Sequence, residues 1–219
     1  MDVGILGGTG PAGSALGARL AAAGVRTVIG SRSVDRAAEA CAAIRQRWPD
    51  LPMELQAGDN AAAADAAVVV LATPWDAAAT TAASLAKHLD GKVLVSMANA
   101  LARVGDEFVA LATPRGSVAA HVQAAVPGAL VAAAFHHLPA RSLAQLDRPL
   151  TGDVMVCTDH PQAWEATAAV VGHLADLRAL HAGSLSGAGA VEGFTAVLLQ
   201  LNARYKGRAS LRLTGITER

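Results

Sequence analysis

Three groups of residues in this chain have types and spacings that could do chemistry. Gly8-Thr9-Gly10-Pro11-Ala12-Gly13 fits the pattern G-x-G-x-x-G. In that pattern the first glycine permits a tight turn, the second lets the backbone approach a pyrophosphate, and the third lets a helix pack closely on a strand. Gly30-Ser31-Arg32 follows about 20 residues later, where a carboxylate would take the ribose hydroxyls of NAD. Arg32 offers a planar cation there instead, with the Ser31 hydroxyl, Arg36 one helical turn on and the Thr9 hydroxyl beside it, a set suited to the 2′-phosphate of NADP. The third group is Phe135-His136-His137-Leu138-Pro139-Ala140. Its two imidazoles stay open between acid–base work and a pair in which one ring packs while the other lines a pocket. No further Cys, His or carboxylate stands at ligand spacing to them, so no metal site is expected.

The elements needed to position these groups can be read from the apolar pattern. Val3 to Leu6 reads as a buried strand ending on glycines, and Pro11 to Ala23 as a helix stopped by Gly24. Thr27 to Gly30 is a second strand and Val34 to Trp48 a second helix. The alternation continues through a weak strand at Met53 to Gln56, a strong one at Val68 to Ala72, a helix at Ala77 to Leu89 and a strand at Val93 to Ser96. Ser117 caps a helix to about Val126, Leu130 to Phe135 is a sixth strand, Val154 to Thr158 a seventh and Leu177 to Leu180 another, with a helix from Pro161 to Leu174 between the last two. Continuous apolar strands alternating with helices predict an α/β fold of Rossmann type, a doubly wound and mostly parallel sheet. Thr73-Pro74-Trp75 and Met97-Ala98-Asn99 then fall at carboxyl ends of strands, beside the crevice where such sheets hold ligands. We assign Thr73, Pro74, Trp75, Ala98 and Asn99 to cofactor contact, although a lone Trp more often packs in a core.

After Gly183 the pattern changes. Val191, Phe194, Val197, Leu198 and Leu201 lie at helical spacing, and Asn202 to Arg208 extends that helix as a basic tail. The expected division is a dinucleotide-binding domain over residues 1–182 and a C-terminal helix and tail over 183–219. The apolar stripe is also the expected face of a homodimer. His88, His121, His160, His173 and His181 share no motif and read as surface or helix-end residues.

Composition narrows the partners. Lys plus Arg and Asp plus Glu both number 18 in 219 residues, which excludes a general electrostatic pull toward nucleic acid or anionic lipid. Two cysteines, Cys41 and Cys157, in unrelated contexts suggest no disulfide framework. No segment approaches the roughly 20 apolar residues of a membrane span, and the opening Met1-Asp2-Val3 has no signal-peptide character. A cytoplasmic protein with small-molecule partners is expected.

Taken together, these motifs resemble a family, the NADPH-dependent reductases of the deazaflavin coenzyme F420. The resemblance runs over nearly the whole chain. It rests on Leu6-Gly7-Gly8-Thr9-Gly10 with Gly13, Gly30-Ser31-Arg32, Thr73-Pro74-Trp75, Val131 to His137, and Arg204-Tyr205-Lys206. It implies that Thr9, Gly10, Pro11, Ala12, Ser31, Arg32 and Arg36 hold NADP(H), with Pro74 and Ala140 near it. It further implies that the deazaflavin lies over the nicotinamide, against the His136 to Ala140 loop and the last helix, reaching Leu211. Ser96 to Leu101 departs from the family, which usually has a proline soon after the fifth strand. The implied activity is reversible hydride transfer between NADP(H) and coenzyme F420. Reduction of a small imine or keto acid, or a non-catalytic NADP(H) sensor, are the alternatives by residue pattern.

Overall fold

The apolar run that opens the chain becomes β1 (Asp2–Leu6), buried from Val3 onward because helices cover both faces of the sheet around it. The computed structural model describes residues 1–216. After the glycine turn comes α1 (Pro11–Ala22), opening on a proline whose missing N–H costs nothing at a first helical position. Gly24, with φ of +81°, lets the chain reverse into β2 (Arg26–Ser31), parallel to β1. The Ser33 side chain then accepts the Arg36 N–H to cap α2 (Val34–Arg47), whose first-turn Asp35 and last-turn Arg45 and Arg47 complement the helix dipole. β3 (Leu55–Asp59) pairs with β2, and Asp59 caps a short helix, α3 (Asn60–Ala64), accepting the Ala62 N–H at 2.7 Å.

β4 (Val68–Leu71) leads into α4 (Trp75–Ser84) and, past a break at Leu85, α5 (Ala86–Leu89). β5 (Val93–Ser96) is followed by an antiparallel hairpin, β6 (Leu101–Val104) and β7 (Glu107–Ala110), which turns at Gly105 with φ of +59°. Ser117 caps α6 (Val118–Ala125), and β8 (Leu130–Ala133) re-enters the sheet. A single helical turn, α7 (Ala140–Leu143), precedes β9 (Gly152–Thr158), α8 (Pro161–Gly172) and β10 (Leu177–His181). A 3-10 turn at Leu185–Gly187 then starts α9 (Ala188–Tyr205).

The eight strands of the main sheet run in the order β3-β2-β1-β4-β5-β8-β9-β10. All neighbours are parallel except β8 and β9. The chain winds outward from β1 in one direction and from β4 in the other, so the strand order reverses between them. A crevice opens there at the strands' carboxyl ends. One apolar core, with Leu16, Leu20, Ile29 and Val154, fills one face of the sheet, and a second, with Leu71, Leu89, Leu94 and Val122, fills the other. Each fully buried Leu or Ile contributes about 1.5 to 3 kcal/mol, so these layers hold the strand ends in fixed relation.

Several expectations from sequence need correction. The helix foreseen over Ala77 to Leu89 starts earlier, at Trp75, and is broken in two at Leu85. The sixth strand stops at Ala133 rather than Phe135, because Phe135 turns the backbone with φ of +64°. The expected extension of the last helix holds for Asn202 to Tyr205 only and does not reach Arg208. Lys206 adopts the left-handed conformation, φ of +52°, and the chain doubles back to β9, where the Leu211 carbonyl accepts the Asp153 N–H at 2.7 Å. Of the last helix's stripe, Leu198 is buried while Val197 and Leu201 are 48% and 40% exposed. Both cysteines are free and buried. Residues 217–219, the end of the expected C-terminal segment, lie outside the described residues.

Candidate functional site

The loop between β1 and α1 is shaped by glycines in specific roles. Gly7, not Gly8 as expected, makes the tight turn: its φ is +66°, and a Cβ there would stand 2.7 Å from Thr73 Cγ2. Gly8 instead lies close against the sheet, its N–H donating to the Gly30 carbonyl at 2.8 Å. A Cβ on Gly13 would meet the Ala72 Cβ at 2.9 Å, so glycine there keeps α1 tight against the end of β4. At Gly10 the nearest atom to such a Cβ is the Gly7 carbonyl oxygen at 3.7 Å. Its outer side is therefore open, the approach a ligand phosphate needs. No side chain caps α1, and its first backbone bond is from the Ser14 N–H to the Gly10 carbonyl. The preceding N–H groups and the positive end of the helix dipole are left for an anion.

Above this loop lies a cleft of about 590 Å³ bounded by the glycine loop, the Ser31–Arg36 segment, Asn60 and the Ala72–Pro74 turn. The guanidinium groups of Arg32 and Arg36 line it and have no hydrogen-bond or ion-pair partner among the described residues. Thr73 Oγ1 is buried at its wall, likewise without a partner. The register sets Asp59 beside Ser31, yet its carboxylate is turned onto the Ala62 N–H of α3 and does not line the cleft. Two free cations, an unpartnered hydroxyl, an open helix end and a glycine flank fit a phosphorylated dinucleotide.

The histidine pair follows β8, two strands along the sheet from β4. The Phe135 turn carries both rings inward, 5.1 Å apart and edge-on. His137 Nε2 lies 2.7 Å from the Asp153 main-chain oxygen, which makes that nitrogen the donor and leaves Nδ1 bare. Neither ring nitrogen of His136 has a partner at hydrogen-bond geometry among the described residues, although the Ala134 backbone lies near enough to favour the protonated ring. Burial, and then the neighbouring His137, push the His136 pKa down to about 3, with the Ala134 backbone opposing only in part. Burial also lowers that of His137 against the pull of Asp153. Both rings are therefore neutral at physiological pH. The His136 carbonyl is held by Asn99 Nδ2 at 3.0 Å and Thr195 Oγ1 at 3.4 Å, which ties β5 and α9 to this loop.

Asp153 is a junction that sequence reasoning missed. Burial alone would raise its pKa, but the Arg178 guanidinium, the Leu213 N–H and Arg212 outweigh that and hold the carboxyl below its usual range. Arg178 binds it through two nitrogens at 2.9 Å and also donates to the Leu213 and Ile216 carbonyls, clasping the tail to β9 and β10. Glu192 was also missed. It is a buried carboxylate on α9 that accepts the Val118 and Ala119 N–H groups at 2.8 and 3.1 Å, docking α9 onto the start of α6.

A second cleft, about 550 Å³, opens where Pro139, Ala140 and Arg141 face α9 and the returning tail. Lys206 and Arg208 lie on its rim, Phe108 of the hairpin and Leu199 supply apolar wall, and Arg208 bonds Gln145. Thus Thr9, Gly10, Ser31, Arg32, Arg36, Thr73 and Pro74 gather at the first cleft and Ala140 at the second. Pro11 and Ala12 open α1 beside the first cleft. Ala98 packs in the core and Trp75 lies half-buried against it, Asn99 supports His136, and Leu211 lies in a shallow apolar groove with Met155 and Phe194. No group of three or more His, Cys, Asp or Glu side chains is arranged for a metal among the described residues.

The chain is similar to known proteins over its whole length. Residues 2–100 match the family model described as NADP oxidoreductase coenzyme F420-dependent. An F420-dependent NADP reductase of Methanothermobacter thermautotrophicus is 31% identical over 228 residues, covering 100% of this chain and 97% of that protein. Its counterpart in Methanocaldococcus jannaschii is 31% identical over 222 residues, with 99% of each chain covered. A crystal structure of a putative F420-dependent NADP reductase from Arthrobacter sp. FB24 superposes with a TM-score of 0.82, at 22% identity and over 98% of this chain and 99% of the other. With relatives at this identity aligned end to end, the chain belongs to the family of F420-dependent NADP reductases.

Proposed function

We propose that the protein transfers a hydride reversibly between NADP(H) and coenzyme F420, with NADP(H) in the cleft over the glycine loop and the deazaflavin between the His136–Ala140 loop and α9. The observation that carries the reading is the pairing of two free guanidinium groups at the end of β2 with a second, cation-rimmed cleft at the same sheet edge. In the forward direction NADPH gives up a hydride from nicotinamide C4 to C5 of the oxidised deazaflavin, and a solvent proton completes the reduced product. Everything else is positioning. Arg32, Arg36 and Ser31 bind the 2′-phosphate, and the open start of α1 from Gly10 to Gly13 takes the pyrophosphate. Thr73 and Pro74 wall the cleft, and Thr9 borders it.

His136 and His137 orient rather than donate protons in this scheme. A ring held neutral by burial is a poor acid, and hydride transfer asks the protein for alignment at about 3 to 3.5 Å more than for proton transfer. Lys206, Arg208 and Arg141, at the second cleft, attract the acidic side chain of the deazaflavin, which reaches on toward Leu211 in its neighbouring groove. The described part of the C-terminal segment, from residue 183 on, serves to complete this second site through α9 and the turn after it. We further infer a cytoplasmic protein that works on small molecules, not nucleic acid, with exposed Val197 and Leu201 as part of a homodimer face. No helix among the described residues is long and apolar enough to cross a membrane. Anaerobic mixing of the protein with NADPH and oxidised coenzyme F420 tests the activity directly. Loss of the deazaflavin's visible absorbance is expected, and its persistence at stoichiometric enzyme overturns the proposal.

A further inference from the structure

Asn60 accounts for an unexplained feature of the first cleft. Its Oδ1 lies 3.2 Å from the Gly7 backbone nitrogen. Because that N–H is a donor, the atom facing it has to be the amide oxygen, which fixes the orientation of the side chain. Nδ2 therefore points away from Gly7, and it has no hydrogen-bond partner among the described residues. Asn60 lines the same cleft as Ser31, Arg32 and Arg36. Its oxygen would stand only 3.1 Å from a Cβ on Gly30, so the amide rests against the end of β2. That is the position at which sheets of this kind read the adenosine ribose.

Its chain neighbour sharpens the point. Asp59 is the nearest carboxylate in sequence, and it is occupied in capping α3. A neutral amide, not a carboxylate, thus faces the cleft beside the two arginines. Resting on the NADP(H) reading above, we propose that Asn60 is a specificity-determining residue: Oδ1 holds the glycine loop in place while Nδ2 donates to the phosphorylated adenosine ribose. An aspartate here would keep the acceptor for Gly7 but would replace the donor with a charge opposed to the 2′-phosphate. Asparagine meets both demands with one planar group.

The test titrates the full chain and its N60D and N60A variants with 2′,5′-ADP and, separately, 5′-ADP by calorimetry, which needs no turnover. N60D is expected to weaken 2′,5′-ADP about ten- to a hundredfold, the range for a lost hydrogen bond to a charged group, while 5′-ADP changes less than about threefold. N60A, which adds no charge, is expected to weaken 2′,5′-ADP less than N60D does and to weaken 5′-ADP as well, because the loop loses its support. If N60D does not fold, N60A carries the test on the same criterion, a larger loss for 2′,5′-ADP than for 5′-ADP. Equal losses for both probes, or no loss, overturn the role. The parent chain separates this from the underlying reading. A parent without preference for 2′,5′-ADP rejects NADP(H) binding itself, whereas a parent preference retained by both variants rejects only Asn60.

Discussion

His137 Nε2 lies 2.7 Å from the main-chain oxygen of Asp153, so an imidazole of the loop after β8 is fixed by the strand that also anchors the C-terminal tail. The Asp153 carboxylate binds Arg178 and the Leu213 N–H, and Arg178 holds the tail carbonyls. The tail, β9, β10 and the histidine loop are therefore tied together through Asp153.

Acid should destabilise the protein well above the range in which carboxylates titrate. His136 is held down to about 3, and His137 is lowered too, whereas an unfolded histidine titrates near 6.5. The unfolded chain thus binds more protons between about pH 6.5 and 3, and stability falls as pH drops through that window. Each such ring steepens the slope by up to about 1.4 kcal/mol per pH unit. Thermal unfolding between pH 7 and 4.5 measures this, and His136→Gln should flatten the slope. An unchanged slope contradicts the burial account.

Arg32→Ala should weaken NADPH far more than NADH. One charge-assisted contact contributes roughly 1.5 to 3 kcal/mol, or about 10- to 150-fold, and Arg32 has no protein partner to lose among the described residues. Steady-state kinetics with both nicotinamides check it. Equal loss for both contradicts a 2′-phosphate contact.

Neutralising Lys206 and Arg208 together should raise the Michaelis constant for the deazaflavin and flatten its dependence on salt, since these exposed cations act over a screened range of about 10 Å. The NADPH constant should stay put, because both residues lie at the second cleft. A parallel rise in both constants contradicts the division between clefts.

Glu192→Ala should cost stability without touching chemistry. It strands two buried N–H groups at the start of α6, a loss of roughly 1 to 3 kcal/mol, which for a chain of this size lowers the melting temperature by about 2 to 4 °C per kcal/mol. Differential scanning calorimetry measures the shift. Glu192→Gln keeps one acceptor and should fall between parent and alanine.

The N-terminal strand–loop–helix unit was legible because its signals are local: a glycine pattern, Pro11 at a helix start and Arg32 at a strand end. What escaped depends on distant partners. Asn60 sits in an alanine-rich stretch that reveals nothing until α3 packs against β1 and β2, although Asp59 is an acceptable capping signal that could have marked the helix. The β6–β7 hairpin carried a Gly105-Asp106 turn signal, yet its strands are mostly exposed and lack a core-facing alternation. The clasp of the tail on Asp153 joins residues 60 apart in sequence, which no local pattern encodes. Phe135 misled for a related reason. It is apolar and fully buried like the strand before it, but tertiary packing holds it in a left-handed turn.

The central claim, direct hydride transfer by positioning, is tested most directly with NADPH carrying deuterium at one face of C4. Under anaerobic single turnover with oxidised coenzyme F420, the account predicts that the deuterium appears at C5 of the reduced deazaflavin, on one face only, as read by mass spectrometry and NMR. Deuterium retained by the nicotinamide from one face and transferred from the other fits the same account, because one bound geometry permits one face. Deuterium released to water, or a product unlabelled at C5 from both isotopomers, contradicts it.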